Sequence, residues 1–166
     1  MADGDALRLV RVANGPWRVV FQRRYGTPPE RVWQAITDPN GGFWRPDGMR
    51  IDPRVGGEVA IDFGSCDGED GWAIAQITAC EQPRLFAYRA TPDAPEARWS
   101  LRPDGHHTLL TFRPAEAPML VIVTGWHATL DNLARALAEQ PLLSNAEFAA
   151  REAEVAQRYR SLPGVT

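Results

Sequence analysis

The chain has 166 residues, 44% of them hydrophobic and 23% charged, a balance that suits one globular domain of about 150 residues with a core of its own. The net charge of −3 gives no basic face for nucleic acid, and no apolar run approaches the 18 residues of a membrane span. All 18 basic residues are arginine, so Schiff-base chemistry and a lysine base are excluded.

The chain opens with two β-rich runs, 7–12 and 17–25, separated by Ala13-Asn14-Gly15-Pro16. Asn-Gly between such runs predicts an N-terminal hairpin. Thr27, Pro28 and Glu30 then read as a capping box with proline at the first helical position. Val32, Trp33 and Ile36 give that short helix an apolar face, and Pro39 ends it. Gly41 to Trp44 reads as a loop or a second short helical turn.

From 47 to 115 the period becomes two. Val59, Ile61 and Phe63 alternate with Glu58, Ala60 and Asp62, which sends the two carboxylates outward. The runs 72–80, 84–91, 97–103 and 108–114 follow, with Asp104-Gly105 as a hairpin turn, and the whole predicts an antiparallel meander. On the run 84–91 either Leu85 with Ala87 or Phe86 with Tyr88 faces inward, because a one-residue slip exchanges the faces. After Pro118, Val123, Trp126, Leu130, Leu133 and Leu137 fall 3, 4, 3 and 4 apart, one stripe on a long helix that Pro141 closes. Ser144 and Glu147 form another capping-box pattern. It opens a last helix with Phe148, Val155 and Tyr159 on one face.

Four segments in this order carry a resemblance. They are PPERVWQAITDP at 28–39, DPRVGGEVAIDF at 52–63, EQPRLFAYRA at 81–90 and TGWHATLDNLARAL at 124–137. The chain resembles the SRPBCC superfamily, and within it the branch of activators of the 90-kDa heat-shock-protein ATPase. The resemblance implies an α+β helix-grip fold: a curved antiparallel sheet of about six to seven strands around a long C-terminal helix, with two short helices after the first strand. Residues 7–140 form that domain, and 141–166 a helical extension. Superfamily members include lipid carriers, hormone receptors, aromatic polyketide cyclases and co-chaperone domains, so no reaction is implied.

The expected function is non-enzymatic binding of a hydrophobic or aromatic small molecule between sheet and long helix. The expected lining is Trp33, Trp44, Val59, Ile61, Phe63, Trp72, Ile74, Phe86, Tyr88, Trp99, Phe112, Trp126, His127, Leu130 and Leu133. Ligand sites are mostly apolar with a few placed polar groups. Each of these residues equally suits plain core filling, since aromatic rings dominate core energetics. His127 reads first as a structural histidine at the edge of the stripe.

A cyclase-like enzyme would use Tyr88, Gln76, His127 and Thr124. A protein-interaction module, or a homodimer, would use the last helix, whose simpler role is to pack on its own domain. Gly64-Ser65-Cys66-Asp67-Gly68 spells a nucleophile elbow but falls between two strands, where that motif does not work. Three histidines and two distant cysteines, Cys66 and Cys80, give no metal-ligand spacing. No cofactor, nucleic acid or membrane partner is expected. The start of the chain lacks signal-peptide character, and the expected location is the cytoplasm with reduced thiols. Arg23, Arg24, Arg50, Arg54 and Arg113 read as strand-edge charges that discourage edge pairing.

Overall fold

A computed structural model describes residues 6–11, 16–40, 43–44, 48–62 and 71–166. The strands are β1 (Ala6–Arg11), β2 (Trp17–Tyr25), β3 (Met49–Ile51), β4 (Glu58–Asp62), β5 (Trp72–Glu81), β6 (Leu85–Arg89), β7 (Ala97–Asp104) and β8 (His107–Arg113). The helices are α1 (Pro29–Ile36), α2 (Leu120–Leu137) and α3 (Asn145–Tyr159). All eight strands form one sheet in the order β1-β2-β8-β7-β6-β5-β4-β3, and every pair is antiparallel. The chain leaves β2 in one half of the sheet, passes through α1, and resumes at the far edge with β3. It then returns strand by strand until β8 meets β2. This is the helix-grip arrangement. The strands among the described residues number eight, against the expected six to seven, and the three-residue β3 is too short to carry an alternation signal. Of the two expected short helices α1 is present; of the second, at 41–44, only the turn at Phe43–Trp44 is described.

Register fixes the two faces of the sheet. On β2 and β8, Phe21 sits opposite Phe112 and Arg23 opposite Leu110; β7 places Trp99 opposite Phe112, and β6 places Phe86 opposite Trp99. Val19, Phe21, Phe86, Tyr88, Trp99, Leu101, Leu110 and Phe112 are all buried on this inner face. So Phe86 with Tyr88, rather than Leu85, points inward. A bulge between Ile77 and Ala79 keeps Ile77 inward and lets β5 bend.

Two caps test local sequence rules. Pro28, not Thr27, is the N-cap of α1, with no side-chain bond, and Pro29 occupies the first turn. A proline there loses nothing, because its missing N–H would be unpaired anyway. Thr27 instead offers its carbonyl to the Thr108 hydroxyl at 2.7 Å. At α3 the expected capping box is present, Ser144 and Glu147 bonding reciprocally. Phe148, Val155 and Tyr159 share the buried face of α3, which packs on α2. The tail then turns back: Leu120 donates to the Thr166 carbonyl at 2.7 Å, tying the last residue to the start of α2. A Cβ on Gly164 would lie 2.7–2.8 Å from the Trp17 ring, so this close crossing requires glycine.

Candidate functional site

The inner face of the sheet and α2 enclose an aromatic cluster. Trp44, delivered by the turn after α1, meets Trp99 at 4.8 Å between ring centroids, Trp126 at 5.8 Å and Tyr88 at 6.2 Å. Trp99 stacks on Phe112 at 3.8 Å, and Trp126 meets Phe112 edge-on at 4.5 Å. Trp33 of α1 stands T-shaped to Phe86 at 6.3 Å. Leu130 and Leu133 close the cluster from α2, and Val59 and Ile61 are buried on the β4 part of the wall. The expected residues Trp33, Trp44, Val59, Ile61, Phe86, Tyr88, Trp99, Phe112, Trp126, Leu130 and Leu133 therefore face one interior. Phe63, Cys66 and the acidic loop 67–70 lie outside the described residues, as does the Asp62 side chain.

Three expected residues face elsewhere. Trp72 is opposite Asp62 and Ile74 opposite Ala60, one register step off the Val59–Ala75 and Ile61–Ala73 pairs that define the inner face of β4 and β5. Ile74 is 56% exposed, and Trp72 lies under the Arg50 guanidinium, 4.3 Å from its ring centroid. Both belong to the outer face. The alternation of this run was misleading because alanines occupy its inward positions, leaving the large apolar residues outside. His127, the third, turns toward α3. The four groups of the cyclase-like reading do not meet: Gln76 is exposed on the outer face, His127 lies under α3, and the Thr124 hydroxyl donates to the Val121 carbonyl. Only Tyr88 faces the interior.

His127 belongs to a buried polar cluster. Arg23, expected at a strand edge, is 4% exposed and pairs with Asp131. Arg151 of α3 donates to the same carboxylate at 2.7 Å and to His127 Nε2 at 3.2 Å. A guanidinium can only donate, so the ring proton of His127 sits on Nδ1 and is directed at the Tyr159 hydroxyl 2.6 Å away. Burial, with Arg23 and Arg151 close by, lowers the His127 pKa to about 4. Burial alone would raise Asp131, but the two arginines outweigh it and hold the carboxyl below its usual range. The cluster joins β2, α2 and α3. The sequence signal for it was available in part: His127 and Asp131 are four apart on a helix, and Arg23 occupies an inward position between Phe21 and Tyr25.

The aromatic interior contains the opposite situation. Tyr88 Oη and Trp99 Nε1 are buried without a hydrogen-bond partner among the described residues. Burial, with Glu116 adding to it, pushes the Tyr88 hydroxyl far above its ordinary pKa, so it stays protonated. The indole N–H of Trp99 lies close enough to draw that pKa slightly the other way, without meeting hydrogen-bond geometry. The sequence offers no signal for these idle atoms, which depend on side-chain orientation.

Beyond this interior, a cleft of about 370 Å³ lies between α1 and the end of α2, floored by Phe43, Leu137 and Leu142 and rimmed by Arg31, Asp38 and Gln140. Glu139, which pairs with Arg31 of the rim at 3.5 Å, holds a left-handed backbone, φ 56°, at the end of α2. Among the described residues no cluster of three His, Cys, Asp or Glu could hold a metal ion. Among the described residues no helix is long and apolar enough to cross a membrane.

Solved structures share the architecture. CalU16 from Micromonospora echinospora is 28% identical over 95% of this chain and 96% of its own, with a TM-score of 0.63. A protein of Bordetella parapertussis, BPP1335, is 23% identical over 96% and 91%, with a TM-score of 0.66. An Aha1 dimer from Colwellia psychrerythraea is 18% identical over 71% and 93%, with a TM-score of 0.56. No curated protein matches the chain. The family model described as "Activator of Hsp90 ATPase homolog 1-like protein" matches residues 26–138, from the end of β2 to the end of α2, and the chain belongs to that family.

Proposed function

We propose that the protein binds a hydrophobic or aromatic small molecule between the inner sheet face and α2, without transforming it. The observation that carries the reading is the pair Tyr88 Oη and Trp99 Nε1, two buried donors with no acceptor among the described residues, on adjacent strands of an aromatic wall. A buried polar group left unpaired costs about 1–3 kcal/mol, and such a cost calls for an explanation. A ligand group between them supplies one. The surrounding rings supply the apolar contact that ligand sites use. The candidates for acid–base work are dispersed, which favours binding over catalysis. The free thiol of Cys80 is consistent with a reducing, cytoplasmic setting.

Native mass spectrometry of protein purified from its own host tests this reading. The expected result is a co-purified mass that denaturation releases. A bare chain in every preparation, together with tryptophan emission unmoved by aromatic probes, would refute it.

A second reading is self-association. It rests on the relative described as a dimer and on Met119 and Val121, 49% and 62% exposed where α2 begins. Sedimentation of the whole chain, with Val121→Glu as the comparison, checks it; a monomer at all concentrations overturns it.

A further inference from the structure

The two idle atoms say what kind of polar group their ligand carries, an inference that rests on the binding reading above. Trp99 Nε1 can only donate. The Tyr88 hydroxyl stays protonated and brings a second hydrogen. Phe86, which precedes Tyr88 by two residues on β6, pairs with Trp99 on β7, so both donors rise from the same patch of the inner face. Matching two donors at one place needs one atom with two lone pairs and no proton of its own. A ligand hydroxyl oxygen could accept from both donors, but its own hydrogen would then be buried unmatched. A carboxylate has the lone pairs, but its charge would be buried against rings. The inward cation Arg23 is already engaged by Asp131, and the outside charge felt at Tyr88, Glu116, is of the wrong sign.

We infer that the ligand is a planar aromatic or conjugated ketone, quinone or lactone whose neutral carbonyl oxygen accepts hydrogen bonds from Trp99 Nε1 and Tyr88 Oη. Its ring system would lie among Trp44, Phe112 and Trp126. Trp44 would shift to admit it, since that ring now touches Tyr88, Trp99 and Trp126. No bond to carbon forms or breaks. The described wall holds no base at the site to remove a proton from a carbonyl's neighbour, so the two donors fix orientation only.

The test uses matched tricyclic probes that differ at one position: fluorene, fluorenone, 9-hydroxyfluorene and fluorene-9-carboxylate. Tryptophan quenching gives their affinities, and infrared difference spectra give the carbonyl stretch of bound fluorenone. Two neutral hydrogen bonds of ordinary strength predict about tenfold tighter binding of fluorenone than of fluorene. They also predict a carbonyl band moved to lower frequency. Tyr88→Phe should remove part of both effects, narrowing the preference for fluorenone over fluorene, and Trp99→Phe should remove the remainder. If Trp99→Phe fails to fold, Tyr88→Phe and the band position still decide. Equal affinity for fluorene and fluorenone, an unshifted band, or tighter binding of the alcohol or the acid overturns the carbonyl inference while leaving the binding reading standing. If no probe binds, the co-purified molecule decides: one without a carbonyl overturns the inference, and none at all overturns both.

Discussion

Of the regions in this molecule that bury polar atoms, two treat them oppositely. In the cluster that joins β2, α2 and α3, Arg23, Asp131, Arg151, His127 and Tyr159 meet in a chain of ion pairs and hydrogen bonds. In the aromatic interior, Tyr88 and Trp99 leave a hydroxyl and an N–H idle. The first arrangement holds helices in place. The second costs stability and gains nothing in return among the described residues, and the proposed ligand would supply what is missing. Burial of a polar residue is therefore a poor guide to function by itself. Whether its hydrogen bonds are made is the better guide.

That contrast can be broken most forcefully at Asp131. Asp131→Ala would strand Arg23 inside the fold, and removing one partner of a buried pair costs about 3–5 kcal/mol. Urea unfolding measures it, and a loss below about 1 kcal/mol would show the cluster to be ornamental.

The next largest effect is in pH. His127 titrates at about 4 in the folded chain against 6.5 for the ordinary group, so the unfolded chain binds the proton more readily between those values. Stability is complete above 6.5 and falls as the pH drops toward 4, by up to about 3 kcal/mol. Asp131 contributes in the same direction, but only below the usual carboxylate range. His127→Gln should flatten the upper part of the pH–stability curve and leave the lower part sloping.

Smaller changes sharpen the comparison. Tyr159→Phe removes a made hydrogen bond and should cost about 1 kcal/mol. Tyr88→Phe removes an idle hydroxyl, so it should be neutral or slightly stabilising in thermal melts. If the two substitutions cost the same, the proposed difference between the regions disappears.

Much of the architecture was legible in the sequence because it is written in periods. The stripe from Val123 to Leu137, the alternation at Val59 and Ile61, and the Ser144–Glu147 box all report local geometry. The interior was legible where large residues point inward. It misled at Trp72 and Ile74, where Ala73 and Ala75 take the inward positions and bulk no longer marks the face. Arg23 misled for the converse reason: its partner Asp131 lies more than a hundred residues away, and no local pattern announces it. The choice between the faces of β6 needed the register with Trp99. Which hydrogen bonds go unmade depends on side-chain angles, and no periodicity encodes those.

The indoles of Trp44, Trp99 and Trp126 lie within 4.8–6.0 Å of one another at steep mutual angles. Chromophores held that close and that skewed share their excitations, and a shared excitation rotates polarised light in a way separate rings do not. The fold thus carries a built-in optical gauge: circular dichroism in the indole bands would register a displacement of Trp44 directly, with no label attached to the protein.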